Sequence, residues 1–257
     1  MKIVVIGGTG LIGSKLVTNL TQHGHQAIAA SPRTGVNTVT GEGLAAVLKG
    51  AKVVVDVTNP PSFEQKVLID FFTTSTSNLL DYGGKAGISH LVALSVVGTQ
   101  RLGESPYFRA KIIQENLISA GTVPYSIVQA TQFFDFMKGL ADFSAQGNKV
   151  PISPVSFQPM TPDDVAKAVE RIALGSPANG TVQIAGPEKL RLDEVIRRVL
   201  QAAGDPREVI ADPAALYFGA HVTADSLLPE PGATLSETTF EQWLAASQPK
   251  EVAAVSG

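Results

Sequence analysis

The stretch Lys2-Ile3-Val4-Val5-Ile6-Gly7-Gly8-Thr9-Gly10-Leu11-Ile12-Gly13 decides the fold. Past Lys2, the first run is apolar at every position and rich in β-branched side chains, the pattern of a strand buried on both faces of a parallel sheet. Three glycines then recur at every third position, and a helical pattern opens at once over 11–23. Gly7 permits a tight turn. Gly10 has no Cβ, so a pyrophosphate can approach the backbone, and Gly13 lets the helix pack closely on the strand. The helix N-terminus presents free N–H groups to the phosphates. Glycine spacing alone is a weak signal. Its place after a strand and at the opening of a helix makes it a dinucleotide-binding turn, with Gly7, Thr9, Gly10, Leu11, Ile12 and Gly13 expected to line it. The plainer alternative is a tight turn that binds nothing.

Outward from this turn, short apolar runs alternate with helical patterns. Strands are predicted at 26–30, 53–57, 90–94 and 126–129, with a weaker one at 36–39. Helices are predicted over 44–49, 63–83 and 107–120. Such alternation gives an α/β fold with a doubly wound parallel sheet, the Rossmann arrangement. The second half changes character: 147–159 is irregular and holds three prolines. Thr161-Pro162-Asp163-Asp164 reads as a helix start, with threonine at the cap, proline at the first helical position and acids facing the helix dipole. A strand at 182–185, a helix over 192–203 and a last helix over 238–246, anchored by Trp243, complete the pattern. No repeat or flexible linker interrupts the chain. Residues 1–247 are therefore expected to form a single NAD(P)-binding Rossmann domain, with 131–160 and 186–247 contributing a small C-terminal substrate lobe and 248–257 a flexible tail.

Composition sets limits. The 257 residues are 44% hydrophobic with a net charge of −3, enough for a full core and no reason to expect nucleic acid or an anionic membrane as partner. There is no cysteine, which excludes disulfides, thiolate metal sites and cysteine nucleophiles. His23, His25, His90 and His221 are scattered without metal-ligand spacing. The apolar run at 3–6 is too short for a signal peptide, and no stretch reaches the roughly 20 residues needed to span a bilayer. The expected setting is cytoplasmic and the expected partner a small-molecule substrate; the oligomeric state is open.

The end of the second strand chooses between cofactors. NAD-binding chains place an acid there, about 20 residues past the turn, for the ribose hydroxyls. Here the sequence reads Ala29-Ala30-Ser31-Pro32-Arg33-Thr34. With no carboxylate near, Arg33 suits a 2′-phosphate and Ser31 can donate to it, so NADP is the expected cofactor. Read plainly, Arg33 is a solvated loop charge.

Ser95 closes the strand over 90–94, and twelve residues later comes Tyr107-Phe108-Arg109-Ala110-Lys111. Tyr107 and Lys111, four apart, share one helix face. A nearby ammonium lowers a phenol's pKa from its reference of about 10. A serine hydroxyl can hold a substrate carbonyl while the phenol donates its proton. Lys111 can also reach the nicotinamide ribose. The alternative is a surface pair, with Lys111 bonded to Glu115 one turn on. Asp56-Val57-Thr58-Asn59-Pro60 ends another strand, so Val57, Thr58 and Asn59 face the cofactor, or Thr58 and Asn59 cap the next helix, and both can hold. Phe133, Phe134, Phe136 and Met137 line an apolar pocket or belong to the core of the lobe.

With these motifs in hand, the chain resembles the short-chain dehydrogenase/reductase superfamily, and within it the atypical, NmrA-like branch. The likeness rests on Gly7–Gly13, on Tyr107 to Lys111 with Glu115 following, on Gln129-Ala130-Thr131-Gln132-Phe133-Phe134 and on Pro159-Met160-Thr161-Pro162-Asp163-Asp164-Val165-Ala166. It implies a Rossmann fold, a nicotinamide cofactor and a site between the sheet edge and the C-terminal lobe. Members of the branch either reduce quinones, carbonyls and similar electrophiles or bind NADP without turnover as redox sensors, and many lack the tyrosine. The expectation here is an NADPH-dependent oxidoreductase with Tyr107, Lys111 and Ser95 catalytic. A cofactor-sensing regulator is the runner-up, and an isomerase using bound NAD(P) without net turnover the third reading.

Overall fold

The computed structural model describes residues 1–247; the tail expected at 248–257 lies outside them. The first half alternates as its pattern requires: β1 (Lys2–Ile6), α1 (Leu11–Gln22), β2 (Gln26–Ala30), α2 (Leu44–Leu48), β3 (Val53–Asp56), α3 (Gln65–Ala86), β4 (His90–Val96), α4 (Pro106–Ala120) and β5 (Tyr125–Ala130). The second half adds α5 (Met137–Ser144), β6 (Lys149–Ile152), β7 (Ser156–Phe157), α6 (Pro162–Leu174), β8 (Gly180–Ala185), β9 (Leu190–Arg191), α7 (Leu192–Ala202), β10 (Glu208–Ala211), β11 (Thr234–Leu235) and α8 (Phe240–Ser247).

Seven strands form one sheet in the order β11-β8-β5-β4-β3-β1-β2, every neighbouring pair parallel. This is the doubly wound Rossmann-like α/β fold. Chain direction across the sheet reverses at β1, whose neighbours are β2 and β3. At such a switch the two crossovers run to opposite faces and leave a crevice at the carboxyl ends of the strands. One face is covered through Leu16, Leu20, Val165 and Val169 of α1 and α6. The other is covered through Leu44, Leu48, Leu79 and Ile118 of α2, α3 and α4. All four residues of β3 are buried, which is why it reads as an unbroken apolar run ending in an acid.

The start of α6 follows its sequence signal. Thr161 Oγ1 accepts from Asp164 N at 3.1 Å, and Pro162 takes the first helical position. Asp163 reaches Lys15 of α1 at 2.9 Å and ties the two helices together.

Two expectations are corrected. Residues 36–39 form no strand. Val39 N and Thr40 N bond to Asn37 Oδ1 (2.9 and 3.3 Å), and Asn78 Nδ2 donates to the carbonyls of Thr38 and Val39. Side chains thus satisfy the backbone groups that a sheet ladder would have used. Thr58 and Asn59 do not cap the next helix, because α3 begins only at Gln65, after Pro60 and Pro61.

A second core belongs to the C-terminal half. Phe134, Met137, Leu140, Val150, Phe157, Ile196, Leu200 and Phe240 pack together. Trp243 stacks on Phe134 at 5.0 Å. The stretch 147–159, read as irregular, contains β6 and β7, which pair with β10 and β9. From this lobe a strap, residues 212–233, crosses to the main sheet, where β11 joins β8.

Candidate active site

At the crevice, the glycine turn is built from close approaches. Gly7 has φ +78° and donates to Ala30 O at 2.9 Å. A Cβ on Gly7 would stand 3.1 Å from the Val57 carbonyl, so the crest after β3 lies against the turn. A Cβ on Gly13 would stand 2.2 Å from Gly7 O, which explains why the helix can begin where it does. A Cβ on Gly10 would meet only Gly7 O, at 3.2 Å, and otherwise open space. Gly8 plays a part that spacing concealed: its Cβ would lie 2.7 Å from both Ala29 Cα and Val5 O, so it lets β1 and β2 converge beneath the turn. No side chain caps α1, and its first acceptor bond, Ser14 N to Gly10 O, leaves the amides of Leu11, Ile12 and Gly13 without intrahelical partners. Thr9 and Leu11 are exposed at the mouth.

After β2, Pro32–Thr34 form a short 3-10 turn. It has the outline of a capping box, but the Thr34 amide bonds to Ser31 O at 2.9 Å, and the buried Ser31 Oγ has no hydrogen-bond partner. Arg33 is exposed and makes no ion pair among the described residues. An open glycine cradle, an orphaned hydroxyl and a free guanidinium at the end of β2 fit a phosphorylated dinucleotide.

Along the crests of β3 and β4 runs a buried polar chain. Asp56 Oδ1 accepts from Thr58 N (3.0 Å) and Thr58 Oγ1 (2.7 Å), and Asp56 Oδ2 accepts from Gln114 Nε2 (3.0 Å). Gln114 Oε1 in turn accepts from Lys111 Nζ, which also donates to Leu94 O at 2.8 Å. The ammonium lies 4.6 Å from the centre of the Phe72 ring. Burial raises the Asp56 carboxyl above its ordinary range against the pull of Thr58, Lys111 and Gln114. Burial also lowers Lys111 to about 8, opposed by the charges of Asp56 and Glu115. The pairing of Lys111 with Glu115 is therefore replaced by bonds to Gln114 and Leu94.

Ser95 is buried, and its hydroxyl donates to Glu115. Glu115 also accepts from Gln129 Nε2 (3.0 Å) and Gln100 Nε2 (3.3 Å). Tyr107 shares its helix face with Lys111 but stands apart in chemistry. Its ring packs against Phe63, Phe72 and Phe108 at 5.8, 6.4 and 5.6 Å. Burial pushes its phenol up to about 12. The lowering by Lys111 that the sequence suggested does not occur, because that ammonium is turned into the Gln114 and Leu94 contacts. Phe134 and Met137 belong to the lobe core, whereas Phe136 is exposed and stacks on Phe133. Asn59 is exposed beyond the crest.

No group of metal-ligating side chains is found among the described residues, and none of their helices is long and apolar enough to cross a membrane.

Residues 3–120 match the model of the NAD dependent epimerase/dehydratase family. A curated relative, the photosystem II assembly factor Ycf39 of Synechocystis sp., is 22% identical over 236 residues, 84% of this chain and 72% of that protein. Among solved structures, MoeE5 in complex with UDP-glucose and NAD superposes with a TM-score of 0.70 at 19% identity, covering 95% of this chain and 96% of that one. An NADPH-dependent quinone oxidoreductase from Escherichia coli superposes with a TM-score of 0.68 at 13% identity, covering 95% and 98%. The structural likenesses speak for the fold. The chain shares the Rossmann-like fold of these structures, and over residues 3–120 it matches the model of the NAD dependent epimerase/dehydratase family.

Proposed function

We propose that the protein is an NADPH-dependent oxidoreductase that reduces a small carbonyl, quinone or related electrophile, with Tyr107 as proton donor. The observation that carries this reading is the Tyr107 phenol. It has no hydrogen-bond partner among the described residues, sits in an aromatic setting and is kept protonated by burial. The chemistry that bound NADPH supplies is a hydride equivalent. The chain's own part is to hold the cofactor and to deliver a proton. Gly7, Gly10 and the amides at the start of α1 take the pyrophosphate; Ser31 and Arg33 take the 2′-phosphate; Val57, Thr58 and Asn59 flank the crevice. A substrate oxygen that gains negative charge draws the proton from Tyr107 Oη, and a phenolate with so high a pKa recovers one rapidly from water. Lys111 and Ser95 act as positioning residues in this reading. Lys111 reaches a ribose only by giving up one of its present contacts.

The NmrA-like sensor is the second reading. It draws support from Ser95 and Lys111, whose polar atoms are already taken by Glu115, Gln114 and Leu94, and from a curated relative named for assembly rather than for catalysis. Stopped-flow NADPH oxidation over a panel of aldehydes, ketones and quinones separates the two. The enzyme reading expects turnover that falls about a hundredfold in Tyr107→Phe, with NADPH affinity unchanged. Silence of the native protein across the panel overturns it in favour of the sensor.

A further inference from the structure

A polar row crosses the otherwise apolar sheet. Ser95 of β4 stands in register with Gln129 of β5, and Gln129 with Gln183 of β8, so the three residues lie side by side on one face. Ser95 and Gln129 are buried, and Gln183 is half-buried. Glu115 of α4 bonds to the first two, and the strap of residues 212–233 meets the third. Gln183 Oε1 accepts from the backbone amide of Glu230 at 2.6 Å, and Gln183 Nε2 donates to Gln129 Oε1 at 2.9 Å. Gln129 Nε2 donates to Glu115 Oε1 at 3.0 Å, and the Ser95 hydroxyl donates to the same carboxylate oxygen.

The chain of bonds has one possible sense. The Glu230 amide can only donate, so Gln183 turns its oxygen outward and its NH2 inward. Gln129 must take that NH2 with its own oxygen and pass its own NH2 on. The last member must then accept, and a carboxylate does. Ser95, Gln129 and Glu115 are buried, so a reversed link sets donor against donor or acceptor against acceptor among desolvated groups.

The same part of the strap is gripped from the turn after β4. Arg101 donates to Leu228 O at 2.6 Å and to Glu230 Oε1 at 2.8 Å, and a Cβ on Gly98 would stand 2.4 Å from Ser226 O. Glu104 accepts from His221 N at 3.0 Å. The strap thus rests on 98–104, the segment that joins the strand of Ser95 to the helix of Tyr107.

We infer that the strap is a latch whose seat is specified from the crest of β4. Glu115 is a positioning residue that acts on the Glu230 amide through Gln129 and Gln183, and strap docking and the orientation of the Ser95 hydroxyl form one coupled state. The coupling stands apart from the reductase reading and serves a sensor equally well.

The test moves the carboxylate from one end of the chain to the other. Gln183→Glu still accepts from the Glu230 amide but offers Gln129 no donor, so Gln129 is driven to turn its oxygen toward Glu115. Chymotrypsin, with Tyr217 and Phe218 as its targets in the strap, is applied well below each variant's thermal midpoint. Cleavage between residues 212 and 233 tracks the open fraction, and in Gln183→Glu it should be at least about fivefold faster, the least that a mispaired buried link implies. Glu115→Gln alone keeps an oxygen for Gln129 and Ser95 and points its NH2 at the exposed Gln100, which is free to turn, so cleavage should stay within about twofold of native. Combining the two substitutions gives every reversed link a partner, and cleavage should return to the native rate. Independent contacts would leave the double variant as fast as Gln183→Glu, and that result overturns the inference. So does a native rate in Gln183→Glu, a fast rate in Glu115→Gln alone, or an equal rescue by Glu230→Gln, which would mark plain repulsion between carboxylates. Should Gln183→Glu fail to fold, a folded double variant still reports the rescue, and an unfolded one overturns the coupling.

Discussion

Gly13 and Gly10 stand three residues apart, and the structure assigns them opposite consequences on gaining one methyl group. In Gly13→Ala the new Cβ would lie 2.2 Å from Gly7 O, 2.7 Å from Gly8 Cα and 2.8 Å from Gly7 C. All three are backbone atoms of a turn already bonded to Val5 O and Ala30 O, so no rotamer change can relieve the clash. Overpacking in a rigid surround costs roughly 1–3 kcal/mol, and backbone contacts this short belong at the upper end. For a chain of this size about 3 kcal/mol lowers the thermal midpoint by roughly 6–12 °C. In Gly10→Ala the only contact is Gly7 O at 3.2 Å, and φ −86° suits any residue. Alanine is a poorer helix cap than glycine but reduces unfolded-state entropy, so stability should move by less than about 1 kcal/mol. The methyl nevertheless projects into the space where a pyrophosphate would approach, and NADPH affinity should fall by at least about tenfold. Differential scanning calorimetry and NADPH titration of the two variants decide the matter. A Gly13→Ala midpoint within 2 °C of native (about 1 kcal/mol), or a Gly10→Ala protein that binds NADPH normally, would refute the division of labour between the two glycines.

Arg33→Ala should weaken NADPH by about 1.5–3 kcal/mol, roughly ten- to a hundredfold, and leave NADH almost unchanged; equal affinities of the native protein for both cofactors would refute the 2′-phosphate assignment. Lys111 is lowered to about 8, so between pH 8 and its unfolded value near 10.5 the unfolded chain binds more protons than the native one. Stability should therefore rise with pH by up to about 1.4 kcal/mol per unit from about pH 8. Above pH 10 the raised phenols of Tyr107 and Tyr217 reverse the trend, because there the native chain holds the extra protons. Urea unfolding at pH 7.5, 8.5 and 9.5 should show that rise in the native protein and lose it in Lys111→Met. Gly98 has φ +88°, and a Cβ there would lie 2.4 Å from Ser226 O. Gly98→Ala should therefore lift the strap, seen as faster limited proteolysis between residues 212 and 233 at a midpoint several degrees lower; an unchanged cleavage rate would show that the strap is held elsewhere.

The sheet was legible in the sequence because its strands are buried on both faces and their apolar runs leave no ambiguity of period. The stretch 36–39 misled because Val36, Thr38 and Val39 are β-branched while Asn37, between them, bonds the local amides and closes a turn. The paired strands β6, β7, β9 and β10 are two to four residues long and too short to show a period. The tight turn at Gly7 and the close packing at Gly13 were legible, whereas Gly8 was not, because its close approach is to β2 rather than to the next helix. On α4 the sequence correctly placed Tyr107 and Lys111 on one face. It could not show that the same face also buries Gln114 and Glu115, since a helix with a polar buried side carries almost no hydrophobic asymmetry. The bond from Gln114 to Asp56 spans 58 positions, and no local pattern announces it.

The edge of the main sheet is finished last. β8 receives its outer neighbour only from Thr234–Leu235, with Ser236 N closing on Ala185 O at 2.8 Å. About 50 residues separate the two strands, and at typical synthesis rates of 5–20 residues per second a ribosome needs roughly 3–10 seconds to supply them. Throughout that interval the outer side of β8 offers unpaired backbone groups, the kind of edge on which chains aggregate. Of the lobe, α7 and β10 are made in the same interval as the strap, so completion of the lobe, the strap and edge protection arrive together late in folding. A nascent chain halted before Thr234 would keep its Rossmann core, its glycine turn and an unguarded edge.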